Sequence, residues 1–330
     1  MISVLHHQRR PGPGRFSLER VFEEVRERLP EDMNADVALC RFESRGLVRR
    51  TVNTLEAGRK EADVHHVLGD VQYLTLGLEP VRTVLTIADC VGLRRLKGIR
   101  RFLLWLFWYY LPIRRARIVT TISEFGRQEL LQAVKCDPAK IRVIHCPLSP
   151  CFSFVPSNGE GALPIILQVG TGPTKNVERV IEALKGFPCC LWIIGPLSEI
   201  QRKTLEFSGI QYENFSEVSD VDLVRLYARS DILVFASVYE GFGLPIIEAQ
   251  AVGRPVIASD RASVPEVAGD AAEFVNPCDH RSIRDAVRKL VSDAPLRRRL
   301  VALGLENVKR FDPDVIAKEY ASIYRELAQR

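Results

Sequence analysis

The sequence has no Cys-x-x-Cys pair, no apolar run long enough to span a bilayer and no large surplus of either charge. Each absence removes a class of protein. Of its eight cysteines, Cys189 and Cys190 are neighbours in a strand-like run, and Cys136, Cys146 and Cys151 lack the spacing of zinc ligands. They read as buried thiols of a reducing compartment rather than as a disulfide framework or a metal site. The longest apolar run, Phe102 to Ile113, has twelve residues, whereas a membrane-spanning helix needs about 20. The opening MISVLHHQRRPGPG has no long apolar segment after a charged start, so no secretory signal is expected. Cytoplasmic residence is the expectation, with contact at the inner face of a membrane left open. The 46 basic residues against 41 acidic ones leave a net charge of only +5, which favours anionic partners without naming one. No basic motif interleaved with aromatics marks a nucleic-acid module, so nucleic acid is not an expected partner.

What is present is ordinary globular material, 330 residues with 46% apolar and 26% charged side chains. A chain of this length suits two domains of about 150 residues each. The most informative stretch runs from Ile232 to Ser259, ILVFASVYEGFGLPIIEAQAVGRPVIAS. It predicts a β-branched strand, a turn holding Glu240, Gly241 and Gly243, and a helix entered through Pro245 that carries Glu248 in its first turn. Proline at the start of a helix needs no amide partner, and glycines let a ligand approach the main chain. Free amides and the positive end of the helix dipole make such a turn an anion site. Glu240 and Glu248 bracket it with carboxylates, each able to grip neighbouring hydroxyls. An anion cradle between hydroxyl-binding carboxylates suits a sugar nucleotide.

With seven residues between them in EGFGLPIIEAQAVGRPV, Glu240 and Glu248 resemble the signature of retaining nucleotide-sugar glycosyltransferases, the large glycogen-synthase-like family (glycosyl transferases group 1, family 4) with the GT-B fold. The resemblance extends through SDRASVPEVAGDAAEFVNP and upstream to LQVGTGPTKN and VSDVDLVRLYARSDI, covering nearly everything from about Ile165 onward and, more loosely, the half before it. It implies an α/β fold of two Rossmann-like, doubly wound domains facing a cleft, with the last helix crossing back to the first domain. It also implies that Glu248 holds the ribose, that Glu240 with Gly241, Phe242, Gly243 and Leu244 holds the transferred sugar, and that Lys175 neutralises the leaving diphosphate. Transfer with retention would proceed through an oxocarbenium-like state, stabilised by charge placed against the departing phosphate.

Apolar β-branched runs alternate with helical patterns through the first half, the signature of parallel strands with crossover helices. Strands are expected at Ile2–Leu5, Asp36–Arg41, Ala62–Val67, Arg82–Ile87, Arg117–Ile122 and Lys140–Ile144. The PGPG loop, with Gly12 and Gly14, follows the first strand at the end where such sheets bind ligands, and reads equally as an acceptor-side loop or a plain turn. Many members of the resembling family end the fourth strand in His-Asp, with the histidine on the acceptor side; here the pair is Ala88-Asp89. Alanine can neither move a proton nor donate a hydrogen bond. His66, Asp70, Asp89 or the donor phosphate would take over the role, or turnover is impaired.

Arg94 to Arg117 places Trp105, Phe107, Trp108, Tyr109 and Tyr110 between basic clusters. The nearer reading is a mainly buried helix with a basic rim, since it is apolar nearly all round, and the other is docking at a membrane interface. Pro112 is expected to end or kink it. The stretch Pro147 to Pro164 is richest in breakers, which places a linker over 151–163 between domains over 1–150 and 164–310; the resemblance makes the first acceptor-binding and the second donor-binding, with a helix over 311–330 returning to the first.

The second half opens with the strand Ile165–Val169 and the loop GTGPTKN, where Gly170 and Gly172 permit close approach and Lys175 supplies a point charge for phosphate. The family often adds an arginine there; here either the donor diphosphate is held with one fewer cation, or Arg254 or another residue supplies it. Gly195 follows the strand Cys190–Ile194, and the segment near Phe215 to Val218 would wrap the nucleotide base by resemblance. Asp220-x-Asp222 and Asp312-Pro313-Asp314 read as helix caps, so no metal and no cofactor beyond the nucleotide-sugar co-substrate is expected. Three rival readings remain: a sugar-nucleotide epimerase of the same fold, a donor-binding protein with reduced turnover, and a membrane-surface scaffold resting on Arg94 to Arg117.

Overall fold

The computed structural model describes residues 1–10, 17–156 and 163–329. Its chain divides into two compact units, Met1–Pro147 with Asp312–Arg330, and Leu148–Phe311. In the first unit six strands, β1 (Ile2–Gln8), β2 (Met33–Leu39), β3 (Val64–Val67), β4 (Thr83–Thr86), β5 (Ile118–Thr121) and β6 (Ile141–Val143), pair in the order β2-β1-β3-β4-β5-β6. Every pairing is parallel. The strands β3, β4 and β5 are buried throughout, as befits a parallel sheet covered on both faces.

The second unit holds β7 (Ile165–Val169), β8 (Cys190–Ile194), β9 (Gln211–Phe215), β10 (Ile232–Phe235), β11 (Val256–Ser259) and β12 (Glu273–Val275), again all parallel, in the order β12-β11-β10-β7-β8-β9. Counted within the unit this is the dinucleotide-binding order 3-2-1-4-5-6, and the first unit has the flavodoxin-like order 2-1-3-4-5 with one more strand. In such sheets chain direction reverses beside the first strand, and the loops there diverge to leave a crevice at the strands' C-terminal ends. That crevice lies between β7 and β10 in the second unit and between β1 and β3 in the first.

Two of the elements between β8 and β10 are absent from the expectations above. The edge strand β9 reads QYENF, with Gln211, Glu213 and Asn214 exposed, so it has no apolar run to announce it. The helix Glu199–Ser208 before it carries a complete capping box from Ser198 and Gln201, a signal that was legible as Ser-x-x-Gln.

The breaker-rich stretch also differs from expectation, because much of it packs on the second unit. Leu148 N–H donates to Phe311 O, Val155 N–H donates to Val252 O, and Phe152 meets the Tyr227 ring edge-on with 5.7 Å between centroids. The described part of residues 151–163 is therefore built into the second unit. Its remaining residues, 157–162, lie outside the described residues.

The Arg94–Arg117 segment is broken into short helices, Val91–Arg95, Gly98–Leu104 and Leu111–Arg115, with a π-helical stretch over Trp105–Tyr110. Pro112 sits in the first turn of the last piece and does not end it. The missing proline N–H is accommodated by the wider π turn before it.

Candidate functional site

At the β7–β10 crevice the two loops meet. Lys175 ends a 3₁₀ turn, Pro173–Lys175, after β7, and its Nζ lies 2.8 Å from Oε1 of Glu240 in the loop after β10. Both side chains are largely buried, and the Glu240 oxygen takes no directed hydrogen bond, so their contact is one of charge. The same ammonium lies over the Phe235 ring, 4.6 Å from its centroid, which holds it at the end of β10. Val238 N–H donates to Thr174 O at 2.9 Å and joins the loops through the main chain.

Gly170 explains why the lysine can lie where it does. Its φ is +87°, and a Cβ there would stand 2.9 Å from Lys175 Cε. Any larger residue would push the lysine stem away. Asn176, in the left-handed region at φ 61°, sends its side-chain amide to Ala236 O and Pro277 O and so ties this loop to the ends of β10 and β12. Gly172 has open space beside it, and Gly195, at φ +123°, faces Thr171, whose hydroxyl donates to Pro196 O.

The turn after β10 is held from below by Ser263, whose hydroxyl contacts the carbonyls of both Glu240 and Phe242 at 3.0 and 2.8 Å. Gly243 has φ +125° and precedes the helix Leu244–Val252, and no side chain caps that N-terminus. Phe242 is buried against Phe311, and Gly241 and Leu244 are half-buried at the mouth of the turn.

Glu248 departs from the expected first turn: the helix starts at Leu244, so Glu248 opens the second turn, beyond reach of the end amides. The buried Tyr227 hydroxyl donates to Glu248 Oε2 at 2.7 Å and fixes the carboxylate. Burial, and then the Glu248 charge, hold the Tyr227 hydroxyl well above its ordinary pKa, so it remains a donor. Sequence reasoning missed this tyrosine because only the packing of two helices brings it to Glu248.

Arg254 does not supply a second cation. It is buried at the opposite, N-terminal end of β11, where its guanidinium donates to the carbonyls of Tyr227 at 3.1 Å and Val155 at 2.9 Å, and to those of Ala228, Val252 and Gly253. It ties the segment at 155 to the sheet and faces no ligand. Ser219 and Asp312 act as helix caps, accepting from Asp222 N and from Asp314 N and Val315 N.

In the first unit a cavity of about 790 Å³ opens at the C-terminal ends of β1, β3 and β4. Asp70, Ala88 and Asp89 line it, together with Arg9, Arg45 and Trp108. Asp70 is exposed and paired with Arg9 at 2.8 Å, and Asp89 turns its Oδ1 to Val91 N–H at 2.9 Å. Trp108 Nε1–H donates to Asp70 O, and Tyr109 O–H donates to Asp89 O, so the π-helical stretch pins both loops.

His66 is a correction. It points into the core and is fully buried, with Nδ1 2.8 Å from Tyr324 Oη and Nε2 2.7 Å from Thr86 Oγ1. His6 shares the same tyrosine oxygen at 3.0 Å, while His7 and His65 pair at 3.0 Å. Burial pushes His7 and His66 down to about 3, and His6 and His65 below their ordinary value. Strand alternation puts His66 on a covered face, where it serves packing and reaches no acceptor. Gly12 and Gly14 lie outside the described residues.

Two doubly wound units, one with a charged pair over a glycine loop at its switch point, define a nucleotide-binding class of fold. Residues 155–305 match the family model of glycosyl transferases group 1. The chain is 29% identical over 236 residues to O-antigen chain mannosyltransferase B of Escherichia coli, covering 64% of this chain and 61% of that protein. It is 27% identical to the phosphatidyl-myo-inositol mannosyltransferase of Mycobacterium leprae (strain TN), covering 63% and 58%. The matches thus span about three fifths of these relatives. The structure is similar to that of Anabaena Alr3699/HepE in complex with UDP and glucose, with TM-score 0.80, 14% identity and coverage of 98% of this chain and 100% of that one. It is also similar to WaaG, a glycosyltransferase involved in lipopolysaccharide biosynthesis, with TM-score 0.73, 18% identity and coverage of 98% and 99%. These likenesses establish the GT-B fold.

Proposed function

We propose that the protein is a retaining glycosyltransferase that moves a sugar, mannose by analogy with its relatives' names, from a nucleotide-diphosphate donor to a glycan, lipid-linked or small-molecule acceptor. The observation that carries this reading is the Lys175–Glu240 pair at the β7–β10 switch point. A lysine held over a glycine loop, beside a carboxylate, is ready to exchange that carboxylate for a diphosphate. Glu240 then turns to the hydroxyls of the sugar, and Glu248, held by Tyr227, takes the ribose.

Charge on the departing diphosphate is met by Lys175 and by the amide end of the helix Leu244–Val252, which places the stabilisation where charge develops. The role needs no metal ion, and turnover is expected to survive a chelator. The cavity beside Asp70 and Asp89 takes the acceptor, with the donor phosphate receiving its proton, since Ala88 has nothing to exchange. The eight free cysteines suit a cytoplasmic setting.

A second reading, donor binding with little turnover, is favoured by one observation, Ala88 on the cavity wall. One pair of assays separates the two. Thermal shift against nucleoside diphosphates and their sugar conjugates, with Glu248→Ala alongside wild type, should reveal one base that stabilises only wild type. Incubation of that donor with candidate acceptors, followed by NMR of the product's anomeric carbon, should show retained configuration. Donor stabilisation with no product from any acceptor would favour the second reading; inversion would overturn retention.

A further inference from the structure

The helical segment that walls the first unit's cavity has a second face. Leu104, Trp108 and Tyr109 turn toward the cavity. On the other side Ile99, Phe102, Leu103 and Phe107 are exposed, at 68, 50, 46 and 37%, and Leu96 continues the face at 36%. Their spacing of three, four and eight residues from Ile99 makes one apolar stripe on a helix. Around it Arg95, Lys97 and Arg100 are exposed. From residue 90 to residue 123 there are eight basic and no acidic residues, against an excess of only five for the whole chain. A water-facing helix has no reason to expose two phenylalanines and two large aliphatic side chains side by side.

We propose that this face docks the protein on the surface of an anionic phospholipid bilayer. Phe102, Leu103, Ile99 and Phe107 enter the boundary between headgroups and acyl chains, and Arg95, Lys97 and Arg100 meet lipid phosphates. Charge complementarity selects this occupant: an acid-free basic ring around an apolar stripe fits a surface that is negative outside and apolar within. Among the described residues no helix is long and apolar enough to cross a membrane, so the contact is peripheral. The same segment forms a wall of the cavity, so docking places the cavity next to the lipid surface. Resting on the transfer reading, that makes an acceptor carried on a membrane lipid the natural occupant of the cavity.

The test is co-sedimentation of the full chain with phosphatidylcholine vesicles and with mixed phosphatidylcholine–phosphatidylglycerol vesicles. Binding is expected to the anionic vesicles and to weaken as salt rises. The variant Arg95→Glu/Lys97→Glu/Arg100→Glu should lower the partition by about a hundredfold, and Phe102→Ser/Leu103→Ser by about tenfold. Both variants should keep the wild-type melting temperature and nucleotide response, so a failure of docking is distinct from a failure of the donor site. No binding of the folded chain to anionic vesicles would overturn the proposal. Equal binding by the charge-reversed variant would also overturn it, as would a dimer in light scattering that Phe102→Asp dissolves, because the face would then join copies of this chain.

Discussion

The two units share a parallel six-stranded design yet place their polar groups oppositely. In the second unit the charged residues stand just past the strand ends, Lys175 after β7 and Glu240 after β10, in loops that glycines keep open. In the first unit the conspicuous polar residues, His6, His7, His65 and His66, lie within β1 and β3 and are buried. A side chain beyond a strand end is aimed at a ligand, whereas one inside a strand belongs to the face its alternation assigns. A titratable side chain therefore means chemistry beyond a strand end and packing within a strand.

The sharpest way to break this comparison is Lys175→Met. Transfer should fall by about 100- to 1,000-fold in kcat/KM, the cost of removing one group aimed at transition-state charge. The melting temperature should fall far less than activity does, the cost being the Glu240 carboxylate left without its cation. Loss of folding with no separate loss of turnover would make Lys175 structural.

In the first unit His66→Ala should do the reverse. It leaves Tyr324 and Thr86 hydroxyls short of a partner and opens a cavity in the core, at a cost of about 2–4 kcal/mol in urea unfolding. Nucleotide-induced stabilisation should survive it. A variant as stable as wild type that fails to transfer sugar would restore His66 to the acceptor site.

Acid should act on the same unit. All four strand histidines have folded-state pKa values below the ordinary 6.5, so the unfolded chain takes up protons first. Stability is full above about pH 6.5 and is lost as pH falls from there toward 3, by up to about 1.4 kcal/mol per pH unit each for His7 and His66. Of the six histidines only His280 lies in the second unit, so hydrogen exchange should show the first unit opening earlier as pH is lowered. Uniform opening of both units would contradict this.

The smallest effect concerns Ser219, whose hydroxyl caps the helix Asp220–Arg229. Ser219→Ala should cost about 1 kcal/mol, and Asp222→Asn should leave transfer unchanged with or without added divalent metal. A metal-dependent loss in the Asp222 variant would revive the Asp-x-Asp reading.

Eleven of the twelve described strands were legible, the last two as the runs Pro255–Ser259 and Ala272–Val275, because central parallel strands such as Ile232–Phe235 are apolar on both faces and announce themselves as runs. The edge strand β9 was not, since Gln211, Glu213 and Asn214 are polar and exposed and its pairing with β8 comes from the neighbour. Lys175, Glu240 and Gly170 were legible as a loop chemistry, whereas the Tyr227–Glu248 bond was not: the residues are 21 apart and meet only when two helices pack. Arg254 was misread, because sequence shows a cation but not the ring of carbonyls that consumes its donors.

Taken alone, the sequence determined where strands, caps and glycine loops form, because propensity, periodicity and left-handed backbone positions are local properties. Only the tertiary structure decided that Lys175 meets Glu240, that His66 is packed away and that Phe102 and Leu103 remain uncovered. Burial and charge pairing depend on which distant elements come together, and a local pattern of residues does not specify its partner.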